Sequence, residues 1–465
     1  MSMYDNVDID VLRKYNEPGP RYTSYPTAPV FTEKFNADAY AGEIADTNSE
    51  DSDRPLSLYF HLPFCDELCY FCGCNMLVTK KPDKKEKYLA SLRTEIDMVA
   101  GMIAGNRRVE QLHWGGGTPT DHTPEQIEDL ARYIRERFNM APDDVGEYSC
   151  EIDPRGLGKE HLEALRRGGF NRVSMGVQDF NPKVQEAVNR IQPEAMTRQV
   201  VDWFRELGFE SVNLDFIYGL PFQTLKGFEE TVDKLIDIAP NRIAVFNFAY
   251  VPWLKKHHKQ LIDPETLPSP EERLQLLKMT IERLSRAGYM YIGMDHFATP
   301  DDELAVAQRE HTLYRNFQGY STLAGSDLYG FGMSGISQTE NVYAQNFKTL
   351  GEYYEAVDNG KLATLCGYRL DRDDHIRRDV ITKLMCHFEL SKSEVNSTWD
   401  IEFDNYFADS IPKLQRFVDD GLVVVSPDGF SITPMGRLVV RNIAMCFDRH
   451  LDDLRGDKPI FSRTV

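Results

Sequence analysis

Between residues 57 and 251 the chain alternates strand-like runs with helical runs six times, and this rhythm restricts it to a parallel α/β architecture. The strand-like runs are SLYFHL (57–62), VEQLHWGG (109–116), EYSCEID (147–153), RVSMGVQ (172–178), SVNLDFIYG (211–219) and RIAVFNFAYV (242–251). Between them lie KEKYLASLRTEIDMVAGMI, PEQIEDLARYIRERF, KEHLEALRRGG, EAMTRQVVDWFRELG and LKGFEETVDKLIDIA, with apolar residues at three- and four-residue steps. Two of them end in glycine, as a helix C-terminus favours. Six such units imply right-handed crossovers. A closed eight-unit barrel takes about 250 residues. Six units therefore suit an open barrel or a doubly wound sheet.

In parallel α/β folds chemistry gathers at the C-terminal strand ends, and here every expected strand ends in an unusual residue. A cysteine-rich loop, Cys65, Cys69, Cys72 and Cys74 in C-x3-C-x2-C-x-C spacing, follows the first strand. Gly115-Gly116-Gly117-Thr118-Pro119 closes the second, and Glu151 and Asp153 close the third. Gln178 and Asp179, Asp215 and Tyr250 close the fourth, fifth and sixth. Any one of these could be a turn, a cap or a solvated side chain. Six on one rim make a site.

The first three thiols can take three corners of a [4Fe–4S] cube and leave the fourth iron open. Zinc is the competing reading, but structural zinc draws on two separated pairs, and the remaining Cys150, Cys366, Cys386 and Cys446 are isolated. A disulfide framework suits short secreted chains. The amino terminus, MSMYDNVDID, lacks the layout of an export signal, and no apolar run approaches membrane-spanning length. A cytoplasmic, reducing setting is expected, without membrane partners. The net charge of −20 argues against nucleic acid as a partner. GGGTP is not a dinucleotide fingerprint. Beside a cluster, its glycines let the backbone approach a ligand closely. Glu151 and Asp215 offer acceptors for a ribose diol or an amine, and Arg190 offers a bidentate carboxylate partner. An amino acid–nucleoside cofactor such as S-adenosylmethionine (SAM) needs those contacts.

These residues resemble the radical SAM superfamily and, within it, the oxygen-independent coproporphyrinogen III oxidase (dehydrogenase) family. The likeness runs through KYNEPGPRYTSYPTA (14–28), YFHLPFCDELCYFCGCN (59–75), LHWGGGTPT (112–120), EIDP (151–154), RVSMGVQDFN (172–181) and NLDFIYGLP (213–221). It continues in GMDHFATPDDELAVAQRE (293–310), RNFQGYST (315–322) and RNIAMCFDRHL (441–451). The resemblance implies an open, three-quarter βα barrel of about six units (51–365), an N-terminal arm (1–50) and a small, mostly helical, winged-helix-like C-terminal domain (366–465). It implies a [4Fe–4S] cluster on Cys65, Cys69 and Cys72, and one or two SAM molecules per chain. Tyr59, Phe71, Gly116, Gly117, Thr118, Glu151, Gln178, Arg190, Asp215, Ala249 and Ile336 would surround SAM. A SAM-derived radical would remove hydrogen from a propionate β-carbon, and loss of CO2 and one electron would leave a vinyl group. Two such reactions turn coproporphyrinogen III into protoporphyrinogen IX.

An acidic chain with a tetracarboxylate substrate needs local cations. Arg21, the run Lys255-Lys256-His257-His258 and Arg309 are candidates, Arg21 on an arm rich in Pro, Gly and Tyr. Cys74, beside Tyr59 as a catalytic candidate, is expected to act in electron or proton transfer and not as a cluster ligand. A low-potential electron donor and a monomeric state are expected. The nearest rival is a related haem chaperone. The GPRYTSYPT arm and Cys74 argue against it.

Overall fold

The computed structural model describes residues 4, 6–49, 54–454 and 460–464. Six parallel strands appear where the rhythm places them: β1 (Leu56–Leu62), β2 (Arg108–Gly116), β3 (Glu147–Ile152), β4 (Arg172–Gln178), β5 (Ser211–Tyr218) and β6 (Arg242–Asn247). Six more follow: β7 (Met290–Gly293), β8 (His296–Ala298), β9 (Asp327–Phe331), β10 (Ile336–Gln338), β11 (Val342–Asn346) and β12 (Thr364–Arg369). They form one open sheet in the order β7-β8-β6-β5-β4-β3-β2-β1-β9-β10-β11-β12, and the short strand Asn139–Met140 pairs with β2. The sheet does not close into a barrel: among the described residues β7 and β12 do not pair with each other, and the outer edge of β12 carries only a bridge between Gly367 and Thr32 of the arm. A seventh parallel strand, β9, lies against β1, and antiparallel strands extend both ends. The six-unit reading missed these pieces, most of them three to five residues long and too short to carry a period of their own.

The period of two along each strand explains the polar interior. Tyr148, Cys150 and Ile152 on β3, Val173, Met175 and Val177 on β4, and Val212, Leu214 and Phe216 on β5 are buried. The alternate set, Glu147, Ser149, Glu151, Ser174, Asn213 and Asp215, lines a shared interior cavity. Parallel register carries the rows across strands, Tyr59 opposite His113 and His113 opposite Ser149. Crossover helices cover the apolar set. Helix Pro124–Arg135 begins with proline and a Thr123/Gln126 capping box, and buries Ile127, Leu130, Ala131 and Ile134.

Beyond β12, helix Arg372–His387 leads into a three-stranded sheet in the order Glu389–Ser391, Gly429–Ile432, Val423–Ser426. The arm is stitched to the C-terminal tail. Gly19 N–H donates to Ser462 O (3.0 Å), Thr464 N–H to Glu17 O (2.8 Å) and Arg441 Nε to Pro20 O (2.9 Å). The boundary expected at residues 50/51 lies outside the described residues. Among the described residues no helix is long and apolar enough to cross a membrane.

Candidate active site

The cysteine loop leaves β1 and is held by backbone. Leu77 N–H donates to Pro63 O (2.8 Å), Thr79 N–H to Cys65 O (3.0 Å) and Tyr70 N–H to Val188 O (2.9 Å). Donors are aimed at the sulfurs. Thr118 Oγ1 donates to Cys65 Sγ (3.3 Å), while Arg155 Nη2 (3.1 Å) and Arg190 Nη1 (3.5 Å) donate to Cys69 Sγ. Asp153 ties the two guanidiniums together at 2.7 and 3.1 Å. Burial opposes its charge, yet Arg190 and Arg155 hold its carboxyl below the usual range. The Cys72 thiol is drawn down to about 7, chiefly by a hydrogen bond from the Cys74 thiol, with Lys255 and Arg190 acting against burial. Cys74 is correspondingly pushed up.

This soft, donor-supported sulfur set fits an iron–sulfur cluster. Among the described residues no group of three His, Cys, Asp or Glu side chains is arranged to hold a single metal ion.

The glycine run forms a cradle that any Cβ would fill. At Gly115 a Cβ would meet the Glu151 carboxylate at 2.9 Å, and at Gly116, where φ is +115°, the His61 ring at 2.6 Å. At Gly117 it would meet the Pro63 and Phe64 backbone at 2.5–2.6 Å. Glu151 accepts from Gly116 N–H (3.0 Å), and His113 Nε2 lies 3.5 Å away. Burial works against its charge, but His113 and the Gly116 amide hold the Glu151 carboxyl below its ordinary value. Asp215 accepts from Asn213 (2.7 Å) and Ser174 (3.1 Å), and burial raises it to about 6.

A cavity of about 380 Å³ brings Tyr59, Cys74, Gly116, Glu151 and Ile336 together. The interior cavity below it shares His113, Glu151 and Gln318, and contains Asp215. Gln178, with φ +72°, and Arg190 lie together beside Gly176, whose carbonyl accepts from Arg190 Nη2 (2.7 Å). Phe71 packs against the satellite cluster of Val184, Val188, Leu220, Phe248 and Ile262. Ala249 and Arg21 line a second cavity of about 460 Å³. There Arg21 is ion-paired with Asp295.

Three expectations need correction. Asp179 is not presented at the rim: its carboxylate accepts from Thr231 and Gln223, each at 2.7 Å, and braces a loop. In the Lys255–His258 run three of the four side chains are committed to the protein, and Lys256 alone is exposed. Lys255 Nζ donates to Cys74 O, His257 Nε2 contacts Cys72 O (both 2.9 Å), and His258 is buried. Arg309 donates to Pro300 O (2.8 Å) and lines neither cavity. Sequence reasoning also missed His61, His113 and Arg155. His61 Nδ1 lies 3.0 Å from Tyr59 OH and its Nε2 2.8 Å from Asn75 O, joining strand to loop. The i, i+2 spacing of Tyr59 and His61 in YFHLP was the available signal.

Residues 59–235, spanning the cysteine loop and the first five strands, match the radical SAM superfamily, and residues 370–439 match the HemN C-terminal domain. The fold and the three-thiol loop thus define a radical SAM protein, a class built around a [4Fe–4S] cluster and SAM. The chain is 48% identical over 461 residues to an oxygen-independent coproporphyrinogen III oxidase of Synechocystis, covering 98% of this chain and 97% of that protein. It is 48% identical over 444 residues to the Escherichia coli protein of the same name, at 96% and 95% coverage. A solved structure of E. coli coproporphyrinogen III oxidase (HemN), described as a radical SAM enzyme, superposes with a TM-score of 0.90 at 47% identity over 96% of this chain and 99% of that one. This chain belongs to the oxygen-independent coproporphyrinogen III oxidase family.

Proposed function

We propose that this chain is an oxidoreductase that oxidatively decarboxylates two propionates of coproporphyrinogen III to vinyl groups, giving protoporphyrinogen IX in oxygen-independent haem biosynthesis. One observation carries the reading: the sulfur-directed cysteine loop sits in a chain matching oxidases of that name over nearly its whole length. That full-length match, arm included, leaves the haem-chaperone alternative without support.

When bound, the cluster and SAM supply one-electron chemistry that removes a hydrogen atom from substrate. Cys65, Cys69 and Cys72 would hold the cluster, with Arg155 and Arg190 placing positive charge at the Cys69 sulfur and Thr118 donating a hydrogen bond to that of Cys65. Gly116 and Gly117 keep the β2 turn within reach of the cysteine loop. Glu151, kept ionised, and Asp215 present acceptors to the polar groups of SAM. Tyr59, Phe71, Thr118, Gln178, Arg190, Ala249 and Ile336 complete the surround for one or two SAM molecules. Tyr59 orders His61, and Cys74 is the residue for proton or electron transfer, a role that the contact of its thiol with Cys72 supports. The enzyme works as a cytoplasmic monomer with a low-potential donor, and its arm and C-terminal domain cover the substrate side.

The test is anaerobic incubation of the reconstituted protein with SAM, a reductant and coproporphyrinogen III, following 5′-deoxyadenosine and porphyrin products by chromatography and mass. Decarboxylated product together with 5′-deoxyadenosine supports the reading. Cofactor cleavage without decarboxylation, or bound haem alone, overturns it.

The Asp215 assignment makes a pH prediction. An ionised carboxylate is the better acceptor for a diol, and burial raises Asp215 to about 6. SAM affinity therefore falls as pH drops through about 6, and Asp215→Asn flattens that profile. Equilibrium titrations from pH 5 to 8 check it. A pH-independent affinity in the unsubstituted protein would remove Asp215 from the SAM contacts.

A further inference from the structure

The cavity of about 460 Å³ over the ends of β5 and β6 holds four arginines, Arg21, Arg273, Arg441 and Arg463, but a single acid, Asp295. In a chain of net charge −20 this is a concentrated exception. Asp295 is taken by Arg21. Arg441 spends its N–H groups on the carbonyls of Gly19, Pro20 and Arg463. Arg463 Nη1 donates to Asn16 O (2.7 Å).

Arg273 is different. Its guanidinium has no hydrogen-bond or ion-pair partner among the described residues. The two acids before it are committed elsewhere, Glu271 to Arg13 at 2.8 Å and Glu272 to the cap at Ser269. Burial and the nearby Arg463 lower the Arg273 pKa, the signature of a cation without a counterion. The arginine is also deliberately aimed. Its stem crosses Gly219, whose φ is +87°, where a Cβ would meet Arg273 Cδ at 2.9 Å. Helix Pro270–Arg286 begins at the cavity wall, so its amino end adds positive potential where Arg273 already lies.

The remaining walls are largely aromatic and apolar, including Tyr218, Phe248, Tyr250 and Phe461, with Trp253 half-exposed at 53% and the neutral polar Asn16, Asn247, Ser462 and Thr464 among them. Tyr250 stacks on His258, and the adjacent His257 contacts Cys72 O. The cavity therefore abuts the cysteine loop. A flat apolar body bearing carboxylates matches such a lining. An unpaired, half-buried guanidinium gains from a bidentate carboxylate.

We propose that Arg273, backed by Arg463, anchors a carboxylate arm of the substrate in this cavity, one of the propionates that is not reacting. The inference rests on the tetrapyrrole reading above and assigns Arg273 a positioning role.

The test compares Arg273→Gln and Arg273→Lys with the unsubstituted holoenzyme. Arg273→Gln raises KM for coproporphyrinogen III about tenfold or more, with kcat changed by less than about threefold and KM for SAM, whose surround reaches this cavity at Ala249, changed far less, and Arg273→Lys recovers part of the loss. Anaerobic fluorescence titration with coproporphyrin III and with its tetramethyl ester gives the second readout. The unsubstituted protein prefers the acid, and Arg273→Gln loses that preference. If Arg273→Gln does not fold, as judged by circular dichroism and iron content, Arg463→Gln is measured by the same titration and weakens the preference. An unchanged KM and an unchanged acid-over-ester preference overturn the anchor. Because the titration needs no turnover, it decides the anchor even if the unsubstituted protein fails to decarboxylate coproporphyrinogen, a result that would instead overturn the function.

Discussion

Cys69→Ala yields a colourless protein with no measurable turnover and an intact sheet. Cys69 is buried, and its sulfur receives two guanidinium N–H groups. The loop's course does not depend on that sulfur. Asn189 Nδ2 holds Leu68 O (2.8 Å), Tyr70 N–H reaches Val188 O, and Cys72 N–H reaches Cys69 O (3.0 Å). Arg155 and Arg190 remain paired with Asp153 after the substitution, so no buried charge is stranded. The cost falls on the cluster, which loses one of its three protein ligands. The loss of activity exceeds the roughly 10- to 100-fold expected when only an outer partner of a metal ligand is removed. Iron and sulfide per chain, visible absorbance and far-ultraviolet circular dichroism separate the outcomes. A coloured, active Cys69→Ala protein would remove Cys69 from the cluster, and an unfolded one would assign it a structural duty.

The same contrast between backbone frame and side-chain chemistry explains what the sequence made legible. The six parallel strands declare themselves because most of them alternate apolar and polar residues over a run long enough to show its period, and the site residues stand at or near their ends. The cysteines, the glycines, Glu151 and Asp215 were visible because local spacing places them. Arg155, His113 and Arg273 were not, since their meaning comes from partners far along the chain: Cys69 for Arg155, Glu151 for His113, and an uncompensated neighbour, Arg463, for Arg273. Long-range pairing also hid β9, which sits beside β1 although more than 260 residues separate Leu56 from Asp327. The Lys255–His258 run misled for the same reason. Composition read it as a cation patch, whereas the fold turns Lys255 and His257 onto the carbonyls of Cys74 and Cys72.

Gly117→Ala loses the cluster and at least about 100-fold in activity, although alanine is the smallest change available. Gly117 is not at positive φ, so the penalty is steric and not conformational. Its Cβ would lie 2.5–2.6 Å from three backbone atoms of Pro63 and Phe64, the segment that delivers Cys65. Backbone cannot rotate aside as a side chain can. The β2 turn must therefore retreat, which breaks Gly117 N–H to Leu62 O (2.8 Å) and Thr118 N–H to Phe64 O (2.7 Å), and withdraws Thr118 from Cys65 Sγ. A displacement of about 1 Å in a reacting constellation costs on the order of 100-fold. Gly116→Ala meets a different obstacle, the His61 ring together with a left-handed φ, and Gly115→Ala meets the Glu151 carboxylate. Both neighbours are side chains, so those variants keep the cluster and lose mainly SAM affinity. Gly105→Ala, with nothing within 4 Å, is the neutral control. Iron content beside SAM titration across the four variants ranks them. If Gly117→Ala holds its iron as well as Gly105→Ala does, then close approach of the β2 turn is not what fixes the cysteine loop.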